Sequence, residues 1–285
     1  MTVLFPLRTQ SSQGIRALNK PITILWLIGQ YYHNRKTEFT FNEVEPILSD
    51  IIKDFTGAPN IVDPFWRLKN DGILSFPNEN KIRINKSGGV SIVDLREYGI
   101  AGFSNDFLKY IQNYENLVLY CETILDTYFA GSMEEEILFR VALDYRSSGD
   151  KTVAIKRRKR DPKFRELVAT AYNYQCAICG FHLMLGGSSI ANEAAHIKWH
   201  SYRGPDTVSN GLLLCNLHHK LFDRGVFTFS KEYKMNLSDK VSSHSEGFKR
   251  WLIEYNEKPL LLPRKTDWVP SEDYLQWHRM NVYLG

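Results

Sequence analysis

The chain has few cysteines, four in 285 residues, and three of them are crowded into one short stretch. That is too few and too clustered for a disulfide framework, and it points to a reducing compartment, the cytoplasm. No run of about 18 apolar residues occurs, so a membrane span is excluded as an expectation. The longest apolar stretch, Ile22–Ile28 with Thr23 inside it, suits a buried helix. The N-terminus lacks the basic start and long apolar core of a secretory signal. Internal repeats and low-complexity segments are also missing. What is present, 43% hydrophobic and 24% charged residues, is the composition of a folded protein. Its length leaves room for two domains.

Charge divides the chain. Residues 1–150 carry 15 Lys and Arg against 19 Asp and Glu, a net of −4; residues 151–285 carry 21 against 13, a net of +8. A positive half is what a phosphate backbone attracts. Ser147-Ser-Gly-Asp150 and the basic run Lys156-Arg-Arg-Lys-Arg160 read as a linker, which sets the expected boundaries at 1–146, 147–161 and 162–285. The basic run suits either a phosphate backbone or a solvated linker. In the first domain Val44, Ile47, Leu48, Ile51, Ile52 and Phe55 have helical spacing, with one buried face. Ile73–Phe76 and Lys81–Ile84 flank Pro77-Asn-Glu-Asn80 and read as a β-hairpin, with Ile82 and Ile84 on one face. Residues 105–145 read as helical, with Cys121 in the core. The fold class expected is α+β: a mainly helical N-terminal domain with a small hairpin, then a compact metal-stabilised unit.

That unit opens at Pro162, a helix-start signal, with a helix expected to about Tyr174. Cys176-x-x-Cys179 and Cys215-x-x-His218 have the spacing of a structural zinc site: four ligands, closed and tetrahedral, with no open position. Interleaved with them are His196, Asn210 and His219, separated by thirteen and eight residues. Those are the intervals of an HNH nuclease. Ser189–Ile197 and Gly211–Cys215 read as strands and Asn216–Asp223 as a helix, the order of a ββα-metal unit. His196 is the expected general base, since an imidazole accepts a proton from water near neutrality. Asn210 suits two roles at once, a turn residue before Gly211 and an amide that pins the loop and orients His196. His219 is the expected ligand of a catalytic cation. Asp223, one helical turn on, is either a second ligand or a polar helix end. Many HNH sites carry Asp or His directly before the base; here it is Ala195, so Glu193 is the candidate that reaches the cation directly or through water. A sparsely ligated ion favours Mg²⁺ or Mn²⁺. His218 and His219 lie about 100° apart on a helix, one towards the zinc and one towards the cleft. His33 and His200 are expected to be non-catalytic. The extension after residue 230 is expected to pack on the nuclease core.

The whole chain resembles the phosphorothioate-dependent restriction endonucleases, which join an N-terminal sulfur-binding domain to a C-terminal HNH nuclease. The nuclease motifs that carry the likeness are Arg160-Asp-Pro-Lys-Phe-Arg165, Cys176-Ala-Ile-Cys-Gly-Phe181, Glu193-Ala-Ala-His-Ile-Lys-Trp-His200, Gly204-Pro-Asp, Ser209-Asn-Gly and His218-His-Lys-Leu-Phe-Asp-Arg-Gly225. In the first domain it rests on Asn19-Lys-Pro-Ile-Thr-Ile-Leu-Trp-Leu-Ile-Gly29 and Asp63-Pro-Phe-Trp-Arg-Leu-Lys-Asn-Asp-Gly72. The resemblance implies a type IV-like restriction enzyme that reads double-stranded DNA carrying sulfur in place of one non-bridging phosphate oxygen, and that cuts nearby as a homodimer. It implies a sulfur pocket at Asn19, Lys20, Asp63 and Pro64. Asn19 stands where His is frequent and Asp63 where Tyr is frequent, so Asp63 is expected to pair with Lys20 or Arg67, or to accept a hydrogen bond from a base. Two other readings remain open: an HNH enzyme specific for another mark such as a methylated base, and an inactive binding module, for which Ala195 is the only support.

Overall fold

The computed structural model describes residues 5–9, 11–12, 15–16, 18–56, 59–86, 88–146 and 162–285. The expected linker, 147–161, lies outside the described residues. The chain groups into two compact units. One is drawn from residues 1–156; the other runs from Arg157 to Gly285 and takes in Phe129–Met133 and Ser12–Ile15. Among the described residues no helix is long and apolar enough to cross a membrane.

The first unit is built round the helix Asn19–Asn34. Ile22, Ile24, Leu25, Leu27 and Ile28 are all fully buried, so this helix is apolar on every side and packs as a central rod. Pro21 sits in its first turn, where its missing N–H costs nothing. Gly29 is set by close approach: a Cβ there would lie 2.1 Å from the Val141 carbonyl oxygen. The helix Phe41–Thr56 buries Val44, Leu48, Ile51, Ile52 and Phe55 as its spacing predicts, but Ile47, expected on that face, is 46% exposed. Helices Asn105–Gln112, Tyr114–Tyr128 and Glu134–Arg140 fill the region expected to be helical, and Cys121 is buried in it.

The expected hairpin at 73–84 does not form. Leu74–Ser75 pairs with Ile100–Phe103, which pairs on its other edge with Glu38–Thr40, giving a three-stranded antiparallel sheet. Residues Glu79–Lys81 form a 3₁₀ turn, and Ile84, expected on an apolar face, is 55% exposed. The physical reason is local. Pro77 has no N–H for a ladder, and the intervening residues lack the glycine that a tight hairpin turn requires. Arg83 instead binds Asp94 through Nε and Nη2 at 2.8 Å each, and its backbone N–H donates to the same carboxylate at 2.9 Å. Those contacts hold this segment against the helix Ile92–Tyr98.

In the second unit the opening helix runs Pro162–Ala171, shorter than expected, because Asn173 and Tyr174 take left-handed φ angles of 51° and 59°. The strand expected over 189–197 is divided. Ser188–Ser189 pairs back on Met184–Leu185 through the turn Gly186-Gly187, and the long strand proper is Asn192–His196. Ala191, at φ 62°, makes the break, and its carbonyl accepts from the Asn216 N–H at 3.0 Å. The strand Asn192–His196 pairs antiparallel with Gly211–Cys215, from Asn192 opposite Cys215 to His196 opposite Gly211. The helix Asn216–Asp223 follows directly, as expected. Phe222, Phe227, Phe229 and Leu212–Leu214 form the core with Val168 and Phe164. The extension packs on it as anticipated: Leu252, Leu260 and Leu275 are buried, and the His278 ring stacks on Phe222 at 3.8 Å.

Candidate nuclease centre and sulfur-site cleft

The ligand atoms of Cys176, Cys179, Cys215 and His218 lie within 4.8 Å of one another. The Cys176 and Cys215 sulfurs stand 3.6 and 3.2 Å from His218 Nδ1. Tetrahedral bonds of about 2.3 Å to sulfur and about 2.0 Å to nitrogen place such atoms roughly 3.6 Å apart, so the set fits one ion. The elements explain the convergence. The turn carrying Cys176 and Cys179 is tied to the second strand by the Ala177 N–H, which donates to Leu213 at 2.7 Å. The His218 Nε2–H donates to the Trp251 carbonyl at 2.8 Å. That bond fixes the tautomer, leaving the Nδ1 lone pair towards the thiols. Hydrogen bonds from Cys179 and Cys215 hold the Cys176 sulfur far below the ordinary thiol range, and the same contacts push Cys179 far up. Packed thiols cannot all ionise alone; a divalent cation lets them, with release of protons.

His196 ends the first strand and is buried beside the face of Phe164, with ring centroids 4.2 Å apart and planes 21° from parallel. Gly211 permits this: a Cβ there would fall 2.5 Å from Val168 and 3.1 Å from the Phe164 ring. The His196 Nε2 lies 2.7 Å from an Asp206 carboxylate oxygen. Asp206 belongs to a motif quoted for its likeness, Gly204-Pro-Asp, to which the sequence assigned no chemistry. Asn210 is fully buried and its amide closes the loop between His196 and itself. Its Oδ1 accepts from the Lys198 N–H at 2.8 Å, and its Nδ2 donates to the Lys198 and Pro205 carbonyls at 3.0 Å each. Gly204 is required there, since a Cβ would lie 1.8 Å from the Lys198 oxygen. Asn210 thus braces the loop that carries Asp206.

His219 lies between two carboxylates. Its Nδ1 is 2.7 Å from Glu193 and its Nε2 is 3.2 Å from Asp223, which is one turn on and buried. The two nitrogens look out from different edges of the ring, so Glu193 and Asp223 meet opposite sides of it. Burial works against a charge on this ring, but the Asp223 charge and the bonds to Asp223 and Glu193 outweigh it and raise the pKa to about 9. An unfolded histidine titrates near 6.5. The folded value is the higher one, so this contribution to stability is complete below about pH 6.5 and disappears as pH rises through about 9. With Mg²⁺ and Mn²⁺ absent and the Cys-rich site loaded, the melting temperature of the second unit is expected to fall more between pH 6.5 and 9 than that of a His219→Gln variant. Equal slopes in parallel thermal melts would refute the ion-pair reading.

In the first unit Asn19, Lys20, Asp63, Pro64 and Arg67 all line one cleft of about 170 Å³, joined by Arg8, Thr9 and Asn60. The sequence did not mark those last three. Lys20 is buried; its ammonium pairs with Asp71 and donates to the Arg8 carbonyl at 3.0 Å. Asp63 pairs with Arg67 at 3.3 Å across one helical turn, one of the two pairings expected of it. Asn19 donates to the Asn60 carbonyl at 3.0 Å.

The second unit has the strand, strand, helix order of a ββα-metal unit, and residues 176–230 match the HNH endonuclease family model. Residues 1–146, half of the chain, match the ScoMcrA-like DNA sulfur-binding domain, and the chain belongs to that family. No curated protein matches the chain. Among solved structures it is similar to the modification-dependent TagI restriction endonuclease, with 21% identity over 42% of this chain and 37% of that one, at a TM-score of 0.31. The type IV phosphorothioation-dependent restriction endonuclease ScoMcrA is also similar: 15% identity over 50% of this chain and 31% of that one, TM-score 0.43. A third is the sulfur-binding domain of ScoMcrA complexed with phosphorothioated DNA: 17% identity over 49% of this chain and 95% of that one, TM-score 0.42. The chain therefore spans about a third of the length of the first two.

Proposed function

We propose that this chain is a restriction endonuclease that docks its first unit on a phosphorothioate in double-stranded DNA and hydrolyses a phosphodiester nearby with its second. The observation that carries the reading is the convergence of Asn19, Lys20, Asp63, Pro64 and Arg67 on one cleft, in a chain that also carries an HNH domain. Sulfur is larger and more weakly hydrated than oxygen. A cleft in which Lys20 and Arg67 are each partly neutralised by a carboxylate, with the apolar face of Pro64 beside them, disfavours ordinary phosphate. Phosphate would shed water without gaining an unopposed cation. A reader of methylated bases would instead stack a flipped base between aromatic rings, and the described lining of this cleft includes none.

In the second unit His196 takes a proton from water. The water oxygen forms a bond to phosphorus as the bond from phosphorus to one sugar oxygen breaks, and that oxygen takes up a proton from solvent water. A divalent cation, Mg²⁺ or Mn²⁺, would when bound supply positive charge beside the developing oxyanion. His219 Nε2 and Asp223, 3.2 Å apart, have the separation of neighbouring ligands about one octahedral ion whose bonds are about 2.1 Å long. Glu193, on the other edge of the ring, orients His219. Holding that ion requires His219 to give up its proton. The Cys₃His site would hold Zn²⁺ as a structural ion. Because one HNH site cuts one strand per event, a double-strand break implies a homodimer. Its few, clustered cysteines support a reducing compartment, the cytoplasm.

Competition binding with matched duplexes, one carrying a single sulfur of defined stereochemistry, one methylated and one plain, tests the docking. The sulfur duplex is expected to bind at least about tenfold more tightly, a difference of about 1.4 kcal/mol. Equal affinity for sulfur-modified and plain DNA would refute sulfur reading and leave the nuclease domain unaffected.

A further inference from the structure

We infer that Asp206 is the positioning residue of the general base, holding His196 in the one tautomer that can accept a proton from water. The inference rests on the nuclease reading above. A carboxylate can only accept a hydrogen bond, so the 2.7 Å contact puts the ring proton on Nε2. In a neutral imidazole the basic nitrogen is then Nδ1. Without that partner the two tautomers of a neutral ring interconvert, and only a fraction of molecules present a base on the correct edge. The pairing also stabilises the imidazolium that forms when Nδ1 takes the proton.

The rest of the structure is arranged to keep this contact. Phe164 covers one face of the ring and prevents it from turning out of plane. The loop that bears Asp206 is closed at its base by three bonds from the buried Asn210 amide. Gly204 lets the chain pass the Lys198 carbonyl just before Asp206, and Pro205, whose φ is fixed, leads directly into the carboxylate. The motif Gly204-Pro-Asp206 is therefore a device for delivering an acceptor to His196 Nε2, a role that its sequence alone did not disclose. His200, whose ring centroid is 5.7 Å from that of His196, is a further titratable neighbour.

The test is Asp206→Asn, whose amide can donate to Nε2 and so favour the opposite tautomer, with Asp206→Glu as the conservative companion. Long-range ¹H–¹⁵N spectra of the full chain, with the structural metal loaded, report the His196 tautomer directly. The Nε2–H form is expected in wild type and its loss in Asp206→Asn. Single-turnover cleavage of a sulfur-modified duplex is expected to slow about ten- to hundredfold in Asp206→Asn, with KM within twofold of wild type and part of the rate restored in Asp206→Glu. A merely structural role would lower the melting temperature without changing the tautomer. Unchanged cleavage in Asp206→Asn beside an active wild type, or a raised KM at constant kcat, would overturn the assignment while leaving the nuclease reading in place. A wild type that leaves every duplex intact would overturn both.

Discussion

Removing the ion from Cys176, Cys179, Cys215 and His218 is expected to melt the second unit while leaving the first folded. Structural zinc supplies on the order of 10 kcal/mol or more of folding free energy, and a whole domain keeps only about 5–15 kcal/mol in total. The loss is therefore as large as the stability available. It falls where three elements converge: the Cys176–Cys179 turn, the end of the strand Gly211–Cys215 and the first turn of the helix Asn216–Asp223 meet at this cluster. Without the ion, that helix loses its anchor, and with it the placement of His219. The first unit has its own core round the helix Asn19–Asn34 and none of these ligands. The measurement is a pair of thermal melts, with and without a strong chelator, alongside metal analysis at one zinc per chain. Two transitions should become one. A chelated protein that keeps both transitions would show that the cysteines are ordinary reduced thiols. Cys176→Ser is expected to act in the same direction and to reduce bound zinc.

The second large effect is expected at His196. His196→Ala should lower the single-turnover cleavage rate by about 10²–10⁴, the usual contribution of a positioned general base. Affinity for the same duplex should stay within a few-fold, because DNA docking is assigned to the first unit and to the positive charge of the second half. Cleavage and fluorescence anisotropy on one sulfur-modified duplex, with Mn²⁺ present, separate these quantities. The variant also decides the standing of Ala195. If a wild-type chain cuts and His196→Ala does not, a residue without a donor before the base is compatible with catalysis, and the cation is held from the helix side by His219 and Asp223. A variant that cuts at the wild-type rate would move the base elsewhere, whereas a wild type as inert as the variant would leave only a binding module.

Much of this centre was legible from spacing. The intervals between His196, Asn210 and His219, and the two ligand pairs nested among them, required a strand pair and a helix; Gly211–Cys215 and Asn216–Asp223 have the expected bounds. The first-domain cleft was legible through resemblance, which named Asn19, Lys20, Asp63 and Pro64. The errors lie where pairing is non-local. Ile82 and Ile84 alternate as a hairpin strand would, yet Leu74 found its partner at Phe103 and Ser75 at Gly102, 29 and 27 residues on in sequence. Nothing in a local pattern records that choice. Ser189–Ile197 reads as one strand because its apolar spacing does not reveal that Ala191 would turn into the left-handed region.

By itself the sequence determined the donor types: which positions offer thiols, imidazoles and carboxylates, and which half of the chain carries positive charge. These follow from residue type and from intervals along one strand or one helix, where geometry is fixed by the repeat. The tertiary structure alone decided what surrounds each group. It put the Asp206 carboxylate on His196 Nε2, Glu193 and Asp223 on opposite edges of His219, and Asp71 against Lys20. Those partners come from separate turns and loops, and a hydrogen bond requires its atoms within about 3 Å. Only the packing of the whole unit can set distances that fine between residues far apart in the chain.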